Sequence, residues 1–185
     1  MKGKFILILG GVRSGKSQFA QEMASRIGGG VLFVATGEPL DEEMRQRIEE
    51  HRRMRPSNWR TVEAPLGVGR RIGEQVGDAR VVIVDCLTLL VSNVIGQCGD
   101  PEQVDAQLVS QRLTVEIEEL LACTDKVESS LIVVSNEVGM GLVPDNPLGR
   151  LYRDCLGKAN RELAQRADAV YFMVAGIPLT VKGGL

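Results

Sequence analysis

The sequence has little histidine, few aromatic residues and no long apolar run. His51 is the single histidine and Trp59 the single tryptophan among 185 residues. The four cysteines, Cys86, Cys98, Cys123 and Cys155, are widely spaced and form no C-x-x-C pair. This argues against zinc and gives no disulfide framework, so reduced, mostly buried thiols are expected. A formal net charge of −2 leaves no broad basic field to draw nucleic acid or an anionic membrane. The apolar run after Met1-Lys2-Gly3-Lys4 is about six residues, too short for a signal-peptide core or a membrane span. No repeat, low-complexity tract or linker divides the chain. The expectation is a cytoplasmic protein folded as a single domain over 1–185, long enough to bury about two-thirds of its unfolded surface.

What is present is an alternation of short apolar runs with longer amphipathic stretches. Phe5–Leu9, Val31–Ala35, Val81–Asp85, Leu131–Ser135 and Ala169–Val174 read as buried strands. Between them, Lys16–Ile27 places Phe19, Ala20, Met23, Ala24 and Ile27 on one helical face. Asp41–Arg55 carries acids in its first turn and arginines in its last, as the helix dipole favours. Pro101–Cys123 and Pro147–Arg166 are the other predicted helices. Near-continuous apolar strands separated by helices predict an α/β fold, with a mainly parallel sheet covered on both faces.

Between the first strand and the first helix lies Gly10-Gly11-Val12-Arg13-Ser14-Gly15-Lys16-Ser17, an ungapped G-x-x-x-x-G-K-S. Glycines let the backbone wrap its N–H groups around phosphate oxygens, and the following helix adds the positive end of its dipole. Lys16 is placed to reach the β- and γ-phosphates and Ser17 to hold Mg²⁺. Asp85, at the end of its strand, is the natural carboxylate for the same ion; the alternative is that it caps the helix that follows. A P-loop nucleotide-binding domain follows, whatever its acceptor.

His51 shares a helical face with Met44, Ile48 and Arg55, and arginines 52, 53 and 55 surround it. Two readings stand on these residues alone. The imidazole packs on an apolar face of a solvated helix, or it attacks an α-phosphorus while the arginines stabilise the transferring group.

Taken together, these residues resemble the bifunctional adenosylcobinamide kinase / adenosylcobinamide-phosphate guanylyltransferase family of cobalamin biosynthesis. The likeness rests on the phosphate loop, on Ala35-Thr36-Gly37, and on Arg47-Ile48-x-x-His51 continuing through Arg55-Pro56-x-x-Trp59 to Thr61 and Glu63. It continues in Asp85-Cys86-Leu87-Thr88, Ser92-Asn93, the run from Ser135 to Pro144, Arg153-Asp154 and Asn160. The resemblance implies a RecA-like P-loop fold and a homotrimer. It implies two reactions: phosphorylation of adenosylcobinamide by ATP or GTP, then transfer of GMP from GTP to the new phosphate. It makes His51 the covalent carrier of GMP, with Lys16 catalytic beside it. It also lines the guanine nucleotide site with Thr36, Gly37, Glu38, Arg52, Arg53, Met54, Arg55, Glu63 and Asp85. Adenosylcobinamide and its phosphate are the implied partners, with the corrinoid on an exposed apolar face. Glu137 is left between a part in binding metal or acceptor and a structural salt bridge.

The chain departs from the family pattern at Glu50, where some relatives carry a second histidine, and at Asp85, where some carry glutamate. A monofunctional P-loop kinase would use Lys16, Ser17 and Asp85 and leave His51 idle. A regulatory P-loop NTPase would hydrolyse slowly without an acceptor. Neither accounts for the His51–Glu63 block.

Overall fold

In the computed structural model, residues 3–100 and 103–184 are described, the side chain of Arg47 excepted. The apolar runs form strands β1 (Phe5–Gly10), β2 (Val31–Ala35), β4 (Val81–Asp85), β5 (Ser130–Val134) and β6 (Ala169–Val174). Two strands absent from the sequence expectation complete the sheet: β3 (Arg60–Glu63) and β7 (Ile177–Lys182). The order is β3-β2-β4-β5-β1-β6-β7, parallel throughout except for the β6–β7 hairpin. Both additions are edge strands. An edge strand keeps one face or one side in water, so β3 and β7 lack the continuous apolar run that marks an inner parallel strand.

Helices cover both faces, as expected. On one, α1 (Lys16–Ile27) buries Ala20, Met23 and Ala24 against Ile6, Ile8, Phe33, Ile83 and Ile132, with Phe19 and Ile27 at the margin. On the other, α3 (Val68–Gln75), α4 (Leu87–Gly96), α5 (Ala106–Lys126) and α6 (Pro147–Arg166) close over Leu7, Leu32, Val82, Val84 and Val133. The pleat sends alternate residues of each strand to opposite cores. Each fully buried Leu, Ile or Phe contributes roughly 1.5–3 kcal/mol of transfer free energy.

The helix expected from Pro101 begins at Ala106, where Asp105 accepts hydrogen bonds from the N–H groups of Gln107 and Leu108. Pro101 itself lies outside the described residues. Helix α2 (Glu42–Arg53) starts one residue later than its acids implied, because Asp41 is its cap and accepts from Met44 N–H at 2.7 Å. All four cysteines are free thiols, three of them buried. Among the described residues no helix is long and apolar enough to cross a membrane.

Candidate active site

The ends of β2, β4, β5 and β1 are neighbours in the sheet, and an open cleft of about 1070 Å³ lies beyond them. Sites beyond the carboxyl ends of strands are the rule for such sheets, because the loops there are free to vary while the strands hold their positions. From β1 the phosphate loop enters the cleft with Val12, Arg13, Gly15, Lys16 and Ser17. From β2 comes Gly37, from β3 Glu63, from β4 Asp85 and Cys86, and from β5 Asn136. Helix α2 lines it with Met44, Ile48 and His51, and Arg55 follows just beyond the helix. The face inferred from spacing is thus the face turned to the cleft.

The phosphate loop has the backbone its glycines permit. Gly10 has φ +153° and a side chain there would meet Met173 O and Ser14 Oγ, each at 2.7 Å. Gly15 is left-handed, with φ 91°, and passes directly into α1. Lys16, at the first position of that helix, is nearly buried and donates to Gly11 O at 2.6 Å. Its ammonium therefore already spans the loop.

Two half-buried, oppositely charged side chains bury polar atoms that have free hydrogen-bonding capacity. Asp85 Oδ2 is buried without a hydrogen-bond partner, and so are Nε and Nη1 of Arg55. Arg55 stacks its guanidinium carbon 3.7 Å from the ring centroid of Phe33, which fixes the plane of the fork. Burial lowers the Arg55 pKa, while Asp85 nearby raises it and Arg52 lowers it. Unpartnered buried polar atoms are costly, and their concentration in one cleft marks a place for a polar ligand. Asp85 does not cap α4, whose cap position is Cys86. Burial, then the Asp85 charge, push the Cys86 thiol up to about 11.

Several residues expected in the nucleotide site are not among those lining the cleft. Thr36 is fully buried behind the wall, where its hydroxyl donates to Cys86 O at 2.7 Å and accepts from Cys86 N–H at 2.8 Å. Arg52 pairs with Glu63 across the gap between α2 and β3, both side chains more than half exposed. Glu38 and Arg53 are not among the residues lining the cleft, nor are Gly10, Gly11 and Ser14 of the loop. Glu137 closes a local turn, its Oε1 accepting from Gly139 N–H at 2.7 Å. Among the described residues no three His, Cys, Asp or Glu side chains cluster to hold a metal ion. Ser17 and Asp85 offer oxygen donors of the kind a hard cation takes, and the unpartnered Asp85 Oδ2 fits such a role.

Residues 6–181 match the family described as cobinamide kinase / cobinamide phosphate guanyltransferase. The chain belongs to that family. Relatives within the family agree over nearly the full length. The bifunctional adenosylcobalamin biosynthesis protein CobP of Pseudomonas aeruginosa is 41% identical over 177 residues, covering 96% of each chain. The corresponding protein CobU of Escherichia coli is 39% identical over 180 residues, covering 96% of this chain and 99% of its own. Among solved structures, the flagellar accessory protein FlaH of Methanocaldococcus jannaschii matches with a TM-score of 0.52 at 15% identity. It covers 99% of this chain and 80% of its own. The RadB recombinase matches with a TM-score of 0.51 at 17% identity, over 92% of this chain and 74% of its own. At such identity these two likenesses show the fold alone, and that fold is the RecA-like P-loop arrangement.

Among the cleft residues not expected in the site from sequence are Gln18, Gln21, Thr88 and Asn136. The two glutamines lie on the first turns of α1, on the side away from its apolar face. Thr88 and Asn136 follow strand ends and lie in two of the motifs that carry the family resemblance, signals that could have found them.

Proposed function

We propose that this chain, acting as one P-loop nucleotide-binding domain over 1–185, is a bifunctional enzyme of cobalamin biosynthesis. It phosphorylates the aminopropanol hydroxyl of adenosylcobinamide with a nucleoside triphosphate, then transfers GMP from GTP to that phosphate. The observation that carries this reading is the shared cleft: the phosphate loop around Lys16 and the imidazole of His51 face one cavity.

In the first reaction the hydroxyl oxygen of the acceptor attacks the terminal phosphorus, and the bond to the leaving diphosphate breaks. Lys16 and the loop N–H groups neutralise charge on the transferring group. In the second, a nitrogen of His51 attacks the α-phosphorus of GTP, and pyrophosphate leaves. The phosphate of adenosylcobinamide phosphate then attacks the same phosphorus, the N–P bond breaks and adenosylcobinamide-GDP forms. Arg55, with two unpartnered nitrogens, is placed to bind phosphate oxygens by its fork. Met54 and Glu63 line the same cleft and fit the guanine nucleotide. Arg52, Arg53, Glu38 and Thr36 belong to its surroundings. Ser17 and Asp85 would hold Mg²⁺, which supplies charge neutralisation on the phosphates when bound.

The loop after β5 exposes Met140, Leu142 and Val143, and such an apolar face suits the corrinoid ring. The exposed Ile177, Leu179 and Val181 of edge strand β7 support self-association, in keeping with a homotrimer. The cytoplasm is the proposed location.

Intact-protein mass measurement after incubation with GTP and Mg²⁺ tests the reading. A GMP-sized adduct on the wild type and none on His51→Ala, labile to acid and stable to base, is the expected result. GTP binding with no adduct would leave a P-loop kinase.

A further inference from the structure

The end of β5 is the most heavily tied point on the rim of the cleft. Val134 stands level with Ile8 of β1 and with Asp85 of β4, so β5 lies between the phosphate-loop strand and the carboxylate strand. Beyond it, Ser135 N–H donates to Ile8 O at 2.9 Å and Glu137 N–H donates to Gly10 O at 3.1 Å. Asn136, between them, is held from two helices. Its N–H donates to Thr88 Oγ1 of α4 at 2.9 Å, and its carbonyl accepts from Asn160 Nδ2 of α6 at 2.9 Å. The other end of the Asn160 carboxamide accepts from Ser135 Oγ at 2.7 Å. Ser135 and Asn160 are both buried, so this network is shielded from water and fully used.

The whole main chain of Asn136 is thereby fixed, while its carboxamide faces the cleft and has no hydrogen-bond partner among the described residues. A tethered backbone with an open polar side chain, set between the phosphate loop and Asp85, is built to meet a ligand. The carboxamide is uncharged at every working pH and carries both a donor and an acceptor.

We infer that Asn136 is a catalytic residue of the kinase reaction that donates from Nδ2 to an oxygen of the terminal phosphoryl group, with Asn160 as the positioning residue that holds it there. This rests on the proposed function, and it adds a contact specific to the third phosphate. Such a contact strengthens as charge spreads over the phosphoryl oxygens, so it lowers the barrier as well as aiding binding.

The test compares two ligands on the full chain by calorimetry: the α,β-methylene analogues of GTP and of GDP, with Mg²⁺. The carbon bridge prevents GMP transfer to His51, so binding alone is read. Asn136→Ala is expected to weaken the triphosphate analogue at least roughly 10-fold and to leave the diphosphate analogue within about twofold. Its melting temperature should stay within about 2 °C of wild type, since the carboxamide supports no protein contact. Equal weakening of both ligands, or of neither, overturns the assignment. Asn160→Ala should show the same selective loss, whereas a merely structural role would lower both affinities together with stability. If Asn160→Ala does not fold, Thr88→Val removes the acceptor for the Asn136 N–H and reads the same tether. A wild type that binds the analogues selectively but turns over no cobinamide overturns the proposed function and leaves the Asn136 comparison decisive. A wild type that binds neither overturns both.

Discussion

Arg55 sits over the ring of Phe33, its guanidinium carbon 3.7 Å from the ring centroid, with Nε and Nη1 buried and unpartnered. The ring comes from the middle of β2, so the plane of the fork is set by the sheet and not by the helix from which Arg55 follows. Replacement by lysine keeps the charge but loses the stacking and the two-point geometry. Arg55→Lys should therefore weaken GTP binding by roughly 10-fold or more while the fold persists, as read by calorimetry beside a thermal melt.

The shared cleft separates two active groups by variant. Lys16→Ala should abolish both phosphorylation and guanylyl transfer, because one loop serves both triphosphates. His51→Ala should abolish transfer only. Parallel assays with adenosylcobinamide and with its phosphate check this; retained transfer in Lys16→Ala would sink the single-site arrangement.

Thr36 braces the main chain of Cys86. Its hydroxyl serves both the N–H and the carbonyl of Cys86, and Thr36→Val leaves both without that partner. A loss of about 1–3 kcal/mol in urea unfolding is expected, with nucleotide affinity changed less than stability.

Two glycines should respond in opposite senses. Gly10→Ala would push a methyl to 2.7 Å from Met173 O at a φ of +153°, so loss of stability and of nucleotide binding is expected. Gly157, inside α6, has nothing within 4 Å of an added methyl. Gly157→Ala should stabilise by about 0.5–1 kcal/mol in the same unfolding assay.

Cys86 gives a pH signature. Its folded pKa of about 11 lies above the ordinary thiol value of 9.0, so the folded state keeps its proton where the unfolded chain loses it. That contribution is complete below pH 9 and is lost as pH rises toward 11. The difference in unfolding free energy between wild type and Cys86→Ala should therefore shrink over this window. A pH-independent difference would contradict it.

The sequence by itself determined the inner strands, the phosphate loop and the inward face of α2. Each is a local pattern: a continuous apolar run, glycines before Lys16-Ser17, and the spacing of Met44, Ile48, His51 and Arg55. The family resemblance then supplied the residues of two reactions, which chemistry alone left open for His51. Only the tertiary structure decided the rest. Edge strands β3 and β7 are almost wholly exposed and carry no continuous apolar run to read. Thr36 sits in a motif beside Gly37, yet Thr36 turns to Cys86, just past the end of the neighbouring strand β4, and Gly37 to the cleft. Asn136 stands in a sequence motif that gives it no role, and it becomes a fixed point because Thr88 and Asn160, 48 and 24 residues away, close on it from two helices. Contacts between residues so far apart depend on the order in which the strands assemble, and no local pattern records that order.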